Sequence, residues 1–330
     1  MTALYRPKGT VIDDVCSKTR IVLALGALIL PGVMCGTTTV ASYPVVKPAF
    51  GRQVEELIGS DIVKGDQFGT SVAASGMTAL VGADQWELDS PYGAGRAYMF
   101  SKTAGGWRQV SELRGSNCAV GDQFGESVAL SGTLAVVGAP NHGGGRAFVF
   151  TKTALGWRQT AELSGSDESA GDFFGEAVGV SARTIVVGAP ASDANAGRVY
   201  VFGQSSNGWK QVAELKGSDT VAGDSFGYAA AISGATVVIG AAFHAQESGR
   251  AYVFTHSSNG WKQVAELKGS DTVYGDAFGS SVAIYGTTVV VGAIRRAALA
   301  GRAYVFTHSS SGWRQVAELK GSDTVYGDAF

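Results

Sequence analysis

Little in this sequence is charged, proline-bent or able to cross-link. Asp, Glu, Lys and Arg make up 16% of 330 residues, against about a quarter in an ordinary globular domain. No run of Lys or Arg exceeds two residues, and the net charge is −2. This speaks against the clustered basic footprint of a nucleic-acid binder and the polybasic patch of a membrane-surface protein. Proline occurs only 7 times, too rarely for a collagen-like or Pro-rich linker chain. The three cysteines, Cys16, Cys35 and Cys118, include no CxxC pair and so spell no zinc knuckle. The four histidines, His142, His244, His256 and His308, adjoin no nucleophile motif, and neither G-x-S-x-G nor H-E-x-x-H occurs. The His-Gly-Gly-Gly at 142–145 looks like a lipase oxyanion sequence, but it lacks the strand-to-helix Ser partner. The expectation is a non-catalytic protein without cofactor or metal.

What is abundant is apolar and small. Hydrophobic residues reach 45%, enough for a sizeable core, and glycine counts 47 residues, about twice its usual share. Many short strands joined by glycine turns fit that composition better than helices do.

The first forty residues read differently from the rest. Lys18 and Arg20 precede an apolar run, Ile21 to Met34, and small residues follow. That is the layout of a secretory signal peptide. The run is short for a membrane span and holds Pro31. Cleavage near Ala41 or Ser42 is one reading. An uncleaved signal anchor is another, because the segment before the run is long and carries Asp13 and Asp14. Lipidation at Cys35 is a poorer third. Each places the remainder outside the cytoplasm, secreted or at the cell surface. Residues 1–42 hold four basic and two acidic residues, so 43–330 alone carries −4.

From residue 50 the chain repeats itself. Tryptophan recurs at 107, 157, 209, 261 and 313, and Phe-Gly begins at 68, 124, 174, 226 and 278. A period near 52 residues marks a repeat architecture. Repeats begin near 66, 122, 172, 224 and 276, with a partial one at 328. Each unit contains four strand-like segments, seen in the last copy as 278–286, 287–293, 301–307 and 312–319. The second is a continuous apolar run, the mark of a strand buried on both faces. The fourth alternates. Four short strands joined by tight turns make a blade, which buries its faces only against other blades. The expected fold is all-β, a β-propeller of four-stranded antiparallel blades over residues 43–330. Residues 52–61 match 314–323, so the repeat region opens on a lone fourth strand. Two closures stay open: a five-blade ring with an overlapping strand, or a fragment of a six- or seven-blade ring.

Phe124-Gly125 followed by Gly138-Ala139-Pro140 resembles the FG-GAP repeat of integrin α-subunit propellers, in its bacterial-type form with Gly-Arg-Ala-Tyr-Val-Phe and Gly-Trp segments. The full Gly-Ala-Pro recurs at 188–190 and is altered at 82–84, 240–242 and 292–294. The resemblance implies a propeller whose calcium loops, where present, lie between the first two strands. Here those turns are two residues long, such as Ser131-Gly132, and supply no oxygen cage.

Each blade brings an Arg after Gly (96, 146, 198, 250, 302) and an Asp before x-Phe (66, 122, 172, 224, 276). A repeated Arg–Asp pair is the expectation. The loops after the second strand vary in length and content, and loops on a rigid scaffold are where function concentrates. They put Trp86, Tyr92, His142, Asp193 and His244 on one face, the candidate surface for binding a protein or surface polymer. The alternative is a lectin whose rim residues Trp107, Trp157, Trp209, Trp261 and Trp313 stack sugars.

Overall fold

The computed structural model describes residues 53–85, 93–322, 324, 326 and 327. The leader-like segment 1–42, Trp86, Tyr92, Asp328 and Phe330 lie outside the described residues. The chain divides into two units, Met1–Glu56 and Leu57–Phe330, and the second holds all the strands described below.

Twenty strands form five sheets of four. The first blade is β1 (Val72–Ser75), β2 (Thr78–Ala83), β3 (Arg96–Thr103) and β4 (Gly106–Leu113). The second is β5 (Val128–Ser131), β6 (Leu134–Ala139), β7 (Arg146–Thr153) and β8 (Gly156–Leu163). The third is β9 (Ala177–Ser181), β10 (Thr184–Ala189), β11 (Arg198–Ser205) and β12 (Gly208–Leu215). The fourth is β13 (Phe226–Ser233), β14 (Thr236–Ala241), β15 (Arg250–Ser257) and β16 (Gly260–Leu267). The fifth is β17 (Phe278–Tyr285), β18 (Thr288–Ala293), β19 (Arg302–Ser309) and β20 (Gly312–Leu319). Every sheet is antiparallel and runs in chain order. This is the four-strand blade expected from the repeat. All six residues of β6 are buried, whereas β8 alternates between exposed and half-buried positions. A bulge interrupts the third-to-fourth pairing at one place in every blade, between Val149 and Phe150 in the second, and adds local twist.

The core lies in the seams between blades. One cluster joins Leu80, Met99 and Leu113 of the first blade to Val137, Phe148 and Phe150 of the second, with Phe124 fully buried among them. Phe124 meets Phe148 and Phe150 at ring distances of 5.5 and 6.1 Å. Its backbone bridges Gly95 of the preceding blade. Glycine is required there: with φ of +82°, a Cβ on Gly95 would lie 2.0 Å from the Phe124 carbonyl oxygen. Gly125 faces the same crowding from the Arg96 carbonyl, 2.3 Å from where its Cβ would be.

Polar clasps bridge blade to blade. Ser116 follows β4 and its N–H donates to Gln159 Oε1 on β8, while Gln159 Nε2 donates to Ser116 Oγ. The same reciprocal pair links Ser166 to Gln211, Ser218 to Gln263 and Ser270 to Gln315. Beside it, the Tyr200, Tyr252 and Tyr304 hydroxyls donate to Asp167, Asp219 and Asp271, each at 2.8 Å. The second blade lacks both partners at once, with Asn117 in place of the Asp and Phe148 in place of the Tyr.

Two expectations need correction. Residues 53–59 form no strand; a strand needs a hydrogen-bonding neighbour, and among the described residues no strand pairs with this segment. The Arg series does not pair with the Asp before x-Phe. Arg146, Arg250 and Arg302 reach Glu162, Glu266 and Glu318 on the fourth strand, at 3.2, 2.7 and 3.1 Å. Arg96 and Arg198 add Asp61 and Asp167. The register explains this: Tyr98 lies opposite Glu112, which makes Arg96 and Glu112 diagonal neighbours. The Asp series instead locks its own loop, accepting the N–H three residues earlier, as Asp224 does from Val221 at 2.7 Å.

First strands pack side by side, β1 on β5, β5 on β9, β9 on β13 and β13 on β17. Among the described residues no comparable contact joins β17 to β1. Among the described residues the five sheets do not close into a ring.

Candidate functional site

Up-and-down blades put the loops after second strands and the loops between blades at one end. At that end, where the first strands meet, lies a cavity of about 670 Å³ lined from four blades. Beside the residue before Phe-Gly (Gln67, Gln123, Phe173 and Ser225), two further positions of four repeats build it. One is the residue after Phe-Gly: Thr70, Glu126, Glu176 and Tyr228. The other is the start of the loop after the second strand, with Asp84, Asn141, Ala191 and Phe243. Phe173, 40% exposed, stands at the opening.

The lining contains three carboxyl groups, Asp84, Glu126 and Glu176, and no Lys or Arg. Asp84 is 3% exposed, and its Oδ1 has no hydrogen-bond partner among the described residues. Burial raises the Glu126 carboxyl to about 8, helped by a proton shared with Asp84 and by the two neighbouring acids. Burial alone raises Glu176. The Tyr228 hydroxyl is raised by burial and then by Glu176 and Glu126. Below about pH 8 Glu126 is mostly neutral, so the negative potential of the pocket grows as its carboxyls ionise, and a cationic group seated there would favour that ionisation. Phe243 already holds the Arg295 guanidinium 5.9 Å above its ring, so an aromatic face here accepts a cation.

The loops around the mouth are strained. Residues 193–195, 245–247 and 297–299 each make three successive left-handed positions, with φ between 50° and 65° and no glycine. Such backbone costs about 1–2 kcal/mol per residue and persists only where neighbours fix it. Here Gly197 N–H closes onto the Ser192 carbonyl at 2.9 Å, while Ser225 and Phe226 donate to the Asn195 and Ala196 carbonyls.

The expected site residues divide. His142 and His244 occupy equivalent loop positions. Their Nδ1 atoms meet Asp122 and Asp224 at 2.6 and 2.8 Å. His142 comes together with Asp122 and Cys118, and His244 with Asp219 and Glu266. Asp193 stands apart, 3.4 Å from Arg198 and 3.9 Å from Lys216. The five tryptophans are half-buried, and each packs against a hydrophobic seam. Trp261 and Trp313 also carry His256 and His308 at ring distances of 5.1 Å. Cys118 makes no nucleophile beside His142: burial, then Asp122 and Glu162, push its thiol up to about 12, the reverse of a reactive cysteine.

Sequence reasoning missed Asp84, Glu126, Glu176, Tyr228, Phe173 and Phe243. A signal was there. The residue after Phe-Gly differs in nearly every copy, inside repeats that are otherwise close to identical.

The FG-GAP repeat family model matches residues 52–100, 107–150, 157–202, 209–254 and 261–306, one match for each blade. No curated protein sequence matches the chain. Among solved structures, a periplasmic gluconolactonase of Pseudomonas aeruginosa is similar over 78% of this chain and 73% of its own, with 15% identity and a TM-score of 0.55. That likeness concerns the fold alone. The Aleuria aurantia lectin, in complex with alpha-methyl-L-fucoside, aligns over 77% of this chain and 78% of its own at 11% identity and a TM-score of 0.46.

Proposed function

Given that this chain belongs to the FG-GAP repeat family, we propose that it is a non-catalytic binding propeller. Its ligand docks on the loop face and places a basic group in the axial mouth. One observation carries the reading: three carboxyl groups line one mouth assembled from four blades, with no Lys or Arg among its lining residues. Binding sites favour concave places where polar groups converge between apolar walls, and Phe173, Tyr228 and Phe243 are those walls. The partner is a protein or surface polymer bearing amines or guanidinium groups. The leader-like residues 17–42 support an exported protein that meets this partner outside the cytoplasm.

The test probes the full chain against an array of basic peptides and an array of glycans. Binding to basic peptides, lost in a folded Glu126→Gln/Glu176→Gln/Phe173→Ala variant, is the expected result. No basic peptide bound, or binding that follows Trp→Phe changes at 107, 157, 209, 261 and 313, overturns it in favour of the rim lectin or another ligand.

A further inference from the structure

The loop between the first and second blades differs from its counterparts at one telling position. Cys118 stands where three later copies have Thr220, Thr272 and Thr324, the remaining two having Ile62 and Glu168. Those threonines close their own turn by donating to the carbonyls of Gly217, Gly269 and Gly321. The Cys118 sulfur lies against the equivalent Gly115. It also lies with a ring nitrogen of His142 and a carboxylate oxygen of Asp122, all within 4.8 Å of one another.

We propose that Cys118, His142 and Asp122 form a binding site for a soft divalent cation, zinc above all. Thiolate, imidazole and carboxylate together form a zinc donor set, and the thiolate disfavours calcium and magnesium, which take oxygen. Three protein ligands leave one tetrahedral position for water. The ring is already oriented, since His142 Nδ1 sits 2.6 Å from Asp122 Oδ2, and Asp122 is itself fixed by the Ala119 N–H at 2.6 Å. That contact sets the ring's direction; zinc bound through Nε2 would keep it, and zinc bound through Nδ1 would replace it. The site can be reached from solvent: the His142 and Asp122 side chains are 19% and 12% exposed. On binding, a metal–sulfur bond forms, the S–H bond breaks and the proton passes to water.

The fourth blade supplies an internal control. His244 occupies the same loop position, with Asp219 and Glu266 nearby. Those carboxylates already serve Tyr252 and Arg250, and no sulfur is present. This second cluster is expected to bind zinc more weakly.

The experiment titrates zinc into the full chain by calorimetry and repeats the titration with cobalt, reading the thiolate-to-cobalt charge-transfer band. Wild type is expected to bind one zinc and show the band. Cys118→Thr installs the residue that three other copies carry, so its loop should fold. That variant should lose the band and at least a factor of about ten in zinc affinity. His244→Ala should bind as wild type does. A folded wild type without one-to-one zinc binding overturns the proposal. So does a band that survives in Cys118→Thr, because Cys16 and Cys35 would then be its source.

Discussion

Phe124, Phe174, Phe226 and Phe278 occupy one seam position in successive blades, and all four are fully buried. Two residues on from the first three, the chain reads Glu126, Glu176 and Tyr228, all lining the mouth. The two positions lie on either side of the same glycine but answer to different demands. At a seam, each ring must fit against an adjoining blade, and a close-packed interior tolerates little change in volume. At the mouth, each residue faces the cavity instead of a repeating neighbour. The repeat supplies the scaffold, and its variation supplies the site.

The comparison breaks most sharply at two adjacent phenylalanines. Phe174 is fully buried and meets Tyr200 and Phe202 at 5.5 and 6.1 Å. Phe174→Ala should cost about 3–5 kcal/mol in denaturant unfolding. Phe173→Ala, one residue earlier, should change stability by no more than about 0.5 kcal/mol while weakening ligand capture. Equal costs would erase the distinction between seam and mouth.

Between those extremes lies Glu126. Its carboxyl titrates near 8 in the folded chain, and near the ordinary glutamate value once unfolded. From about pH 4.5 to 8 the folded chain therefore holds more protons, and this group makes stability fall as pH rises. The Glu126→Gln variant should match wild type near pH 4 and gain on it steadily toward pH 8, measured by denaturation across that range. A constant difference between the two would place Glu126 in open solvent.

The fold was legible because its signals are local and repeated. The apolar run of β6, the alternation of β8 and the Phe-Gly period each state a packing rule within a few residues. Interactions across larger separations were harder to read. Arg96 and Glu112 are 16 residues apart and become neighbours only through the antiparallel register of β3 on β4. Cys118 and His142 lie in different loops, joined only when the second blade folds against the first. The mouth was partly visible: the end of the blades that holds it followed from blade topology, but its carboxyl groups sit at the ends of strands that otherwise read as core.

The central claim is that recognition belongs to the mouth and not to the opposite end of the blades. A photo-crosslinking side chain placed at Phe173, and separately at Tyr285, which is 89% exposed at the turn between β17 and β18, tests it directly on the basic-peptide ligand. The account predicts adducts from position 173 and none from 285. Adducts from 285 alone would contradict it.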